Sequence, residues 1–258
     1  MRHRDKYRDL RRWLSELRET QAGPELIQAL EQRIEEERDE ELRHILLRVL
    51  VAEHENQGNA AAAKKVRRGD PLYRIEHWCM LLQRRRRRTD VVRAIEQRLL
   101  KETEPRVRYE LKQCLAKEHE LRGNYASAEA LFLQLFDENP DQPFPLSYLA
   151  SQKFHLENKP EEGMAMIDRT IEAAHRSGVM PRFFLGDKAR MALELEDYAL
   201  VEEILKEIMA TFLPENQDVR PERDFFDRLP PGTIDAEVAR QYAAFCEAHG
   251  RYKKKPST

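Results

Sequence analysis

The stretch VAEHENQGNAAAAKK, residues 51–65, returns in altered form as AKEHELRGNYASAEA, residues 116–130. Each stretch carries an acid-histidine-acid triplet that is followed, three residues later, by Gly-Asn. With an offset of 65 residues, 29–63 aligns with 94–128 without a gap, and fifteen of the 35 pairs are identical. Composition alone would give roughly two or three identities. The chain therefore contains a duplicated unit.

The two tryptophans, Trp13 and Trp78, share this offset. Internal periods of this kind are typical of helical-repeat proteins, in which each unit packs mainly on its neighbours. Sixty-five residues are about twice the length of one helix–turn–helix repeat, and Gly-Pro, Gly-Asn and Asp-Pro pairs punctuate the sequence at that spacing. We therefore predict six helical hairpins, at residues 5–38, 39–69, 71–104, 105–139, 143–177 and 181–213.

The repeated triplet has the residue types of a catalytic or metal site, but its spacing argues against both. Successive residues of a helix point about 100° apart, so Glu118, His119 and Glu120 do not converge on one ion. Metal ligands on a helix are expected at i, i+3 or i, i+4. We interpret the triplet as structural: the histidine faces the partner helix of its hairpin, and its acidic neighbours lie in water. Gly-Asn then forms a turn that needs a left-handed residue.

Large and small residues alternate between the two helices of the fourth hairpin in a way that resembles a tetratricopeptide repeat. At the matching positions of residues 112–140 stand Leu115, Ala116, His119, Gly123, Tyr125, Ala128, Phe132 and Pro140. The first copy resembles the pattern through Leu50, His54, Gly58 and Ala63, although Ala60 replaces the aromatic residue. Phe154 and Gly163 match it in the fifth hairpin. The resemblance extends over about residues 39–213.

The resemblance implies an all-α fold, a right-handed α-α superhelix of about six antiparallel helical hairpins with a C-terminal capping helix. The predicted segments are a solenoid at 1–213 with the duplicated unit at 5–69 and 70–139, a Pro-rich linker at 214–232, a capping helix at 233–250 and a flexible basic tail at 251–258.

The linker carries three large apolar residues, Phe225, Phe226 and Leu229. We expect them to dock on the last hairpin, because the ends of repeat arrays must be polar or covered. The alternative is that the linker occupies the binding groove of the solenoid itself.

The resemblance implies a function as well: a non-catalytic scaffold or adaptor that binds a peptide or protein segment on a concave face. The family's inward-facing positions correspond here to cations, amides and aromatic or imidazole rings, which suit a segment of acidic character. These candidate groove residues are Arg48, Gln113, Lys117, Tyr148, Gln152, His155 and Arg190.

An arginine run in the second copy predicts a different function. Arg84, Arg85, Arg86, Arg87 and Arg88 are adjacent, and subtracting 65 places them on the uncharged or acidic turn of the first hairpin. Packing therefore does not require them. Their mutual repulsion would be relieved by an anionic partner, so the alternative function is a nucleic-acid-associated regulator. A solvated basic loop is the plainer interpretation. Self-association through exposed repeat ends is a further alternative.

Composition excludes several classes of protein. The 258 residues are 41% hydrophobic and 36% charged, and 45 Lys and Arg nearly balance 47 Asp and Glu, which gives a net charge of −2. No apolar run approaches the ~18–20 residues of a membrane span, and the N-terminus lacks the apolar core of a signal peptide. We expect a cytoplasmic protein with no membrane partner.

Sequence motifs give no support to catalysis. The chain has no phosphate-binding Gly-rich loop, nucleophile elbow or His-Glu-x-x-His motif. The three cysteines are widely spaced, and we expect Cys79 and Cys114 to be buried, inert thiols. We therefore predict no enzyme activity, no cofactor and no metal site.

Overall fold

The computed structural model describes residues 3–84, 90–179, 181–211 and 226–249. Over these residues the fold is all-helical, without a β-strand, as the sequence predicts. The chain divides into two compact units, residues 1–139 and 140–258, called unit 1 and unit 2 below.

Unit 1 consists of helix pairs that follow one another along the chain. Neighbouring helices pack in the order α2 on α3, α3 on α4, α4 on α5, α5 and α6 on α7, and α7 on α8. The helices described are α1 (His3–Thr20), α2 (Pro24–Glu36), α3 (Glu40–Asn56), α4 (Ala60–Gly69), α5 (Pro71–Arg84), α6 (Val91–Lys101), α7 (Pro105–Leu121) and α8 (Tyr125–Glu138).

Unit 2 contains two further hairpins and a final helix. Its first helix continues directly into a π-helical turn, and the last helix packs on the helix before it. The elements described are α9 (Phe144–Ser151), the π-helical turn (Gln152–Leu156), α10 (Pro160–Ser177), α11 (Arg182–Glu194), α12 (Tyr198–Ala210) and α13 (Ala236–His249).

Short polar side chains and prolines set the helix starts. The Asp39 carboxylate accepts hydrogen bonds from the Glu41 and Leu42 N–H groups at 3.0 and 3.2 Å, and Asp197 accepts one from the Leu200 N–H at 3.0 Å. These bonds satisfy amides that have no partner within the helix. Pro24, Pro105 and Pro160 stand in first turns, where their missing N–H has no consequence.

The 65-residue offset relates the two cores of unit 1 residue by residue. The first core, between α1, α2 and α3, consists of Leu10, Leu14, Leu17, Leu26, Leu30, Ile34, Leu42, Leu46 and Leu50. Adding 65 to each number gives Ile75, Cys79, Leu82, Val91, Ile95, Leu99, Val107, Leu111 and Leu115, and each of these lies in the core between α5, α6 and α7. We call residues 5–69 copy 1 and residues 70–139 copy 2. The bounds of α3 and α7 are related by the same offset.

The repeated triplet forms the end of a helix and the turn after it. The Asn59 N–H donates to the His54 carbonyl at 2.8 Å, and Gly58 adopts a left-handed φ of 72°. In copy 2 the Asn124 N–H donates to the His119 carbonyl at 2.9 Å. This is the Schellman end of a helix, which needs a left-handed residue after the last turn. The Gly-Asn pair therefore forms the left-handed turn that the sequence predicts.

One detail of that prediction is wrong. The Glu118 side chain is fully buried and accepts a hydrogen bond from the Arg122 Nε at 3.0 Å, so it does not lie in water. The arginine one turn later makes this burial tolerable, because a buried charge needs a partner.

Gly163 allows the two helices of the fifth hairpin to approach closely. A Cβ at Gly163 would lie 2.7 Å from the Phe154 Cβ. The turn here is one residue longer than in the sixth hairpin: the Lys159 N–H donates to the Lys153 carbonyl six residues back, whereas the Asp197 N–H donates to the Ala192 carbonyl five residues back. The extra residue is accommodated by the π-helical turn.

The end of unit 2 is covered by α13 and the residues just before it. Val238 and Tyr242 are buried in the core formed with α11 and α12, and Phe226 and Leu229 pack against that core. The Phe226 ring lies 5.2 Å from that of Tyr242 on α13, and docking of these linker residues on the last hairpin stays a prediction. Phe225 and the rest of 214–225 lie outside the described residues.

Candidate protein-binding faces

The seven groove residues predicted from the sequence are divided between the two units. Unit 1 holds Arg48 on α3 and Gln113 and Lys117 on α7, and unit 2 holds Tyr148, Gln152, His155 and Arg190. Each unit is therefore considered by itself.

In unit 2, α9 with its π-helical turn lies beside α11 and runs parallel to it. Near their first residues, the rings of Phe144 and Phe184 are 5.4 Å apart in an edge arrangement. Near their last residues, the His155 Nδ1 lies 3.4 Å from the Glu194 carboxylate. Contacts at both pairs of corresponding ends require a parallel arrangement. The strip between these helices, together with the side chains along its edges, is called the α9–α11 face.

Two exposed phenylalanines lie at one end of the α9–α11 face. Phe144 is 40% exposed and Phe183 is 47% exposed. Phe144 is the first residue of α9, and Phe183 is the second residue of α11, one helical turn before Asp187. Tyr148 follows one helical turn after Phe144 and is half-buried.

Charged groups lie at the other end of the same face. The Arg190 guanidinium lies 2.5 Å from the Asp187 carboxylate, and both side chains remain more than a third exposed. Burial raises the pKa of Asp187, while the charges of Arg190 and His155 oppose the rise. The structure thus brings His155 and Arg190 together around one carboxylate, with Tyr148 on the neighbouring helix.

Gln152 does not belong to this face. Its side chain is fully buried, and its Nε2 donates to the Glu157 carboxylate at 2.7 Å. The prediction that Gln152 lines an open groove is wrong, because its amide is hydrogen-bonded within the turn and does not reach the surface.

In unit 1, a network of charges joins α3, α5 and α7. The Arg48 guanidinium lies 3.7 Å from the Glu76 carboxylate. Burial raises the pKa of Glu110, and the charge of Glu76 adds to the rise. Charges on His44, Lys117 and Arg48 oppose it. Two of the predicted residues, Arg48 and Lys117, therefore act on the same carboxyl group. The third, Gln113, is half-buried on α7.

A buried His-Asp pair connects α3 to the start of α5. The His44 Nδ1 and an Asp70 carboxylate oxygen are 2.7 Å apart, and the Tyr73 ring centroid lies 5.5 Å from that of His44. The other Asp70 oxygen accepts hydrogen bonds from the Leu72 and Tyr73 N–H groups at 2.7 and 3.4 Å. The sequence shows Asp70-Pro71 as a helix boundary but gives no signal for His44, which lies 26 residues away.

We predict that Asp70→Asn lowers the free energy of unfolding by about 1–2 kcal/mol at neutral pH, because it removes a charged partner of His44. Burial alone would raise the pKa of Asp70, but His44 and the two backbone donors hold it below its usual value of 3.8. This stabilisation is present above the pKa of the unfolded chain and is lost as the pH falls through the lower folded-state pKa. Urea titrations of wild type and variant should therefore converge in acid.

The matched control is Asp197→Asn, which changes a helix cap. Asn caps helices about as well as Asp, so this variant should remain within about 0.5 kcal/mol of wild type. Equal losses in the two variants would contradict a special role for the His44–Asp70 pair.

A separate cleft of about 430 Å³ opens between α5, α6 and α7. Its lining combines apolar side chains with two arginines and two glutamates: Pro71, Arg74, Ile75, Trp78, Arg98, Glu102, Glu104 and Val107. The equivalent arginines make the same ion pair in both copies: Arg33 pairs with Glu37 at 3.1 Å and Arg98 with Glu102 at 3.0 Å. In copy 1, Arg33 also lies over the Trp13 ring at 5.9 Å.

Most of the predicted anion patch lies outside the described residues. Arg84 is exposed at the end of α5, and Arg85, Arg86, Arg87 and Arg88 are among the residues that the structure does not describe.

The described residues contain neither a metal-binding cluster nor a membrane-spanning helix. No three His, Cys, Asp or Glu side chains in the described ranges are placed to hold a metal ion. Among the helices that the structure describes, none combines the length and the apolar composition needed to cross a membrane.

Comparisons with known proteins identify no family. No family model matches the chain, and no curated protein matches it. A solved structure, BtubC (BKLC) from P. vanneervenii, is similar over 86% of this chain and 80% of that chain, with 15% sequence identity and a TM-score of 0.34. A likeness at this level carries no argument, so the assignment of function rests on the chain's own residues.

Proposed function

We propose that this protein is a non-catalytic interaction module that binds a segment of another protein on the α9–α11 face. We further propose that its hairpins are of the tetratricopeptide type and that within each unit they follow a right-handed superhelix. The repeat assignment is supported by small or compact residues at one position of four hairpins. Each is the fourth residue of the second helix of its hairpin. These residues are Ala63, Ala128, Gly163 and Val201, and all four are buried.

The observation that carries the binding proposal is the composition of the α9–α11 face. Exposed phenylalanines at one end and an Arg-Asp-His cluster at the other form a strip on two parallel helices. Aromatic residues and arginine are the types most enriched where proteins bind each other. Burial of Phe144 and Phe183 would supply most of the affinity, and Arg190 and His155 would fix the orientation of the bound segment.

The chemistry of the face defines the segment that fits it. An aromatic or aliphatic side chain suits the end with Phe144 and Phe183. A carboxylate suits the other end, because Arg190 offers a guanidinium that binds carboxylates well. Asp187 is the group that such a carboxylate would displace, and its raised pKa lowers the cost of losing its charge. We therefore expect a short segment in which an apolar residue and an acidic residue are separated by several residues.

Peptide display on the full chain tests the proposal. We predict that a library of random peptides, about 12 residues long, enriches sequences with an apolar and an acidic residue. Phe183→Ser should weaken the enriched peptides by about tenfold or more, as expected for a central aromatic contact. Arg190→Glu should select against the acidic position. Binding is measured by fluorescence anisotropy.

The matched control is Leu100→Ser, because Leu100 is 85% exposed and lies on α6 of unit 1. This variant should bind the enriched peptides as wild type does. Equal binding by wild type and Phe183→Ser would show that the peptides do not bind on the α9–α11 face. If the chain instead retains nucleic acid, and replacing Arg84–Arg88 by serine abolishes that retention, the alternative function replaces this one.

A further inference from the structure

Copy 2 places two thiols in one core, one on α5 and one on α7. Cys79 is buried, and Cys114 is partly exposed. Helix α5 packs on α7, both side chains belong to the core between α5, α6 and α7, and the two thiols interact with each other. The expectation that both thiols are buried is therefore wrong for Cys114, which is partly exposed.

Copy 1 shows that this part of the core does not need sulfur. The residues at the equivalent positions are Leu14 and Val49, and both lie in the first core. Hydrocarbon side chains thus fill the same space between the corresponding helices. Copy 2 differs from copy 1 at both positions, and the two changes place one thiol beside the other.

We propose that Cys79 and Cys114 form a reversible oxidation site, in which a peroxide converts the pair into a disulfide between α5 and α7. Cys114 reacts first because it reaches solvent. Its thiolate sulfur attacks a peroxide oxygen and the O–O bond breaks, which yields a sulfenic acid and, with hydrogen peroxide as oxidant, one water. The Cys79 sulfur then attacks the Cys114 sulfur and releases a second water. In sum, two thiols and one hydrogen peroxide give one disulfide and two waters.

The surroundings make Cys79 the resolving thiol and not the first to react. Interaction with the Cys114 thiol raises the pKa of the Cys79 thiol, and burial adds to the effect. The carboxylates of Glu110 and Glu76 raise it further. Because the thiolate is the nucleophile, oxidation should be slow at neutral pH and faster as the pH rises. A dithiol reductant reverses the reaction by exchange.

The disulfide would change the stability of unit 1 and restrict the movement of α5 relative to α7. Residues 79 and 114 are 35 positions apart, and closing a loop of that length restricts the unfolded chain. It would also fix α5 against α7, the two helices that carry Glu76 and Glu110. We expect the oxidised protein to melt roughly 5–10 °C higher than the reduced protein when unfolding is followed by tryptophan fluorescence.

Thiol titration of the full chain before and after hydrogen peroxide tests the proposal. The reduced chain has three cysteines, and oxidation should leave one reactive thiol, Cys246, after denaturation. Peptide mass spectrometry without reductant should show a cross-link between residues 79 and 114, and a dithiol reductant should restore all three thiols.

The matched variants carry the residues of copy 1. Cys114→Val should lose no thiol to a disulfide at the same peroxide dose, and Cys79→Leu should accumulate a sulfenic acid on Cys114 that dimedone labels. The wild type should label much less, because Cys79 consumes the sulfenic acid. Three free thiols in oxidised wild type, a cross-link to Cys246, or equal dimedone labelling of wild type and Cys79→Leu would each overturn the proposal. The wild-type measurement decides the question even if a variant fails to fold.

Discussion

Replacing Gly163 by alanine is expected to lower the free energy of unfolding by about 2 kcal/mol. The added Cβ would lie 2.7 Å from the Phe154 Cβ and 2.9 Å from the Phe154 backbone nitrogen. Because that nitrogen belongs to the π-helical turn, no side-chain rotation relieves the contact, and α10 must move away from its partner. In an unhindered helix the same change stabilises by about 0.5–1 kcal/mol, so the sign of the effect reports the close approach.

The control for this prediction is Gly69→Ala at the end of α4. Among the described residues, nothing lies within 4 Å of a Cβ built there, so alanine should be neutral or stabilising. Far-UV circular dichroism is the right measurement, because both tryptophans, Trp13 and Trp78, lie in unit 1 and their fluorescence does not report on unit 2. A Gly163→Ala protein as stable as Gly69→Ala would show that α10 has room to accept a methyl group.

Replacing Glu157 by glutamine is expected to cost about 3 kcal/mol at neutral pH. Glu157 follows the π-helical turn and lies 3.2 Å from the Lys153 Nζ and 3.0 Å from the Lys159 Nζ. The Lys153 side chain is only 6% exposed, so removing the Glu157 charge takes away a close partner of a buried ammonium. The Glu162 carboxylate, at 3.6 Å and largely in solvent, compensates poorly for that loss. The amide also offers Gln152 a weaker acceptor than the carboxylate does.

The pH dependence of this effect has a definite sign. Burial alone would raise the pKa of Glu157, but hydrogen bonds from Gln152, Lys159 and Lys153 hold it at about 2, below the usual 4.5. A depressed folded-state pKa contributes stability above the unfolded-state pKa, and this stability is lost as the pH falls through the folded-state value. The gap between wild type and Glu157→Gln should therefore be constant above about pH 5 and close towards pH 2.

Glu161→Gln is the control for the glutamate prediction. Glu161 lies in the first turn of α10, four residues after Glu157, and is exposed. Its loss should cost no more than about 0.5 kcal/mol, the contribution of a carboxylate near a helix N-terminus. If both variants lost equal stability, the effect would belong to the helix dipole and not to the buried lysine.

The hairpins of unit 1 follow from local sequence. The Gly-Asn pair after His54 and after His119 creates the same backbone turn twice, since that turn depends on one left-handed residue and a helix cap. The predicted hairpins at 39–69 and 105–139 therefore contain α3 with α4 and α7 with α8. Because a few adjacent residues determine such a turn, the hairpin boundaries can be predicted from a single sequence.

The residues that the sequence misplaced depend on side-chain contacts that form only in the folded backbone. Gln152 is polar, and a polar residue on a helix suggests an exposed position. Its burial becomes understandable only through the carboxylate of Glu157, which its amide contacts across the π-helical turn. Similarly, the burial of Glu118 is understandable only through Arg122, whose guanidinium donates a hydrogen bond to the Glu118 carboxylate. In both cases the partner exists only once the backbone has folded.

The α9–α11 face combines residues that the sequence predicts with residues that it does not. Tyr148, His155 and Arg190 were expected from the positions of the repeat, whereas Phe183 and Asp187 were not. The neighbours of His155 and Phe144 on α11 are set by how α9 packs beside that helix. No periodicity of the sequence encodes that packing.

The residue-by-residue match between the two cores of unit 1 has a consequence for how the chain reaches its native state. Helices that bury equivalent residues are able to exchange places, and such swaps are a known hazard of duplicated sequences. The buried Lys112 on α7 argues against the exchange, because it pairs with Glu138 on α8 and stands where copy 1 has Leu47. In the core of copy 1, α7 would carry an ammonium without its carboxylate, at a cost of several kcal/mol. This ion pair thus helps to distinguish two helices whose core residues match position by position.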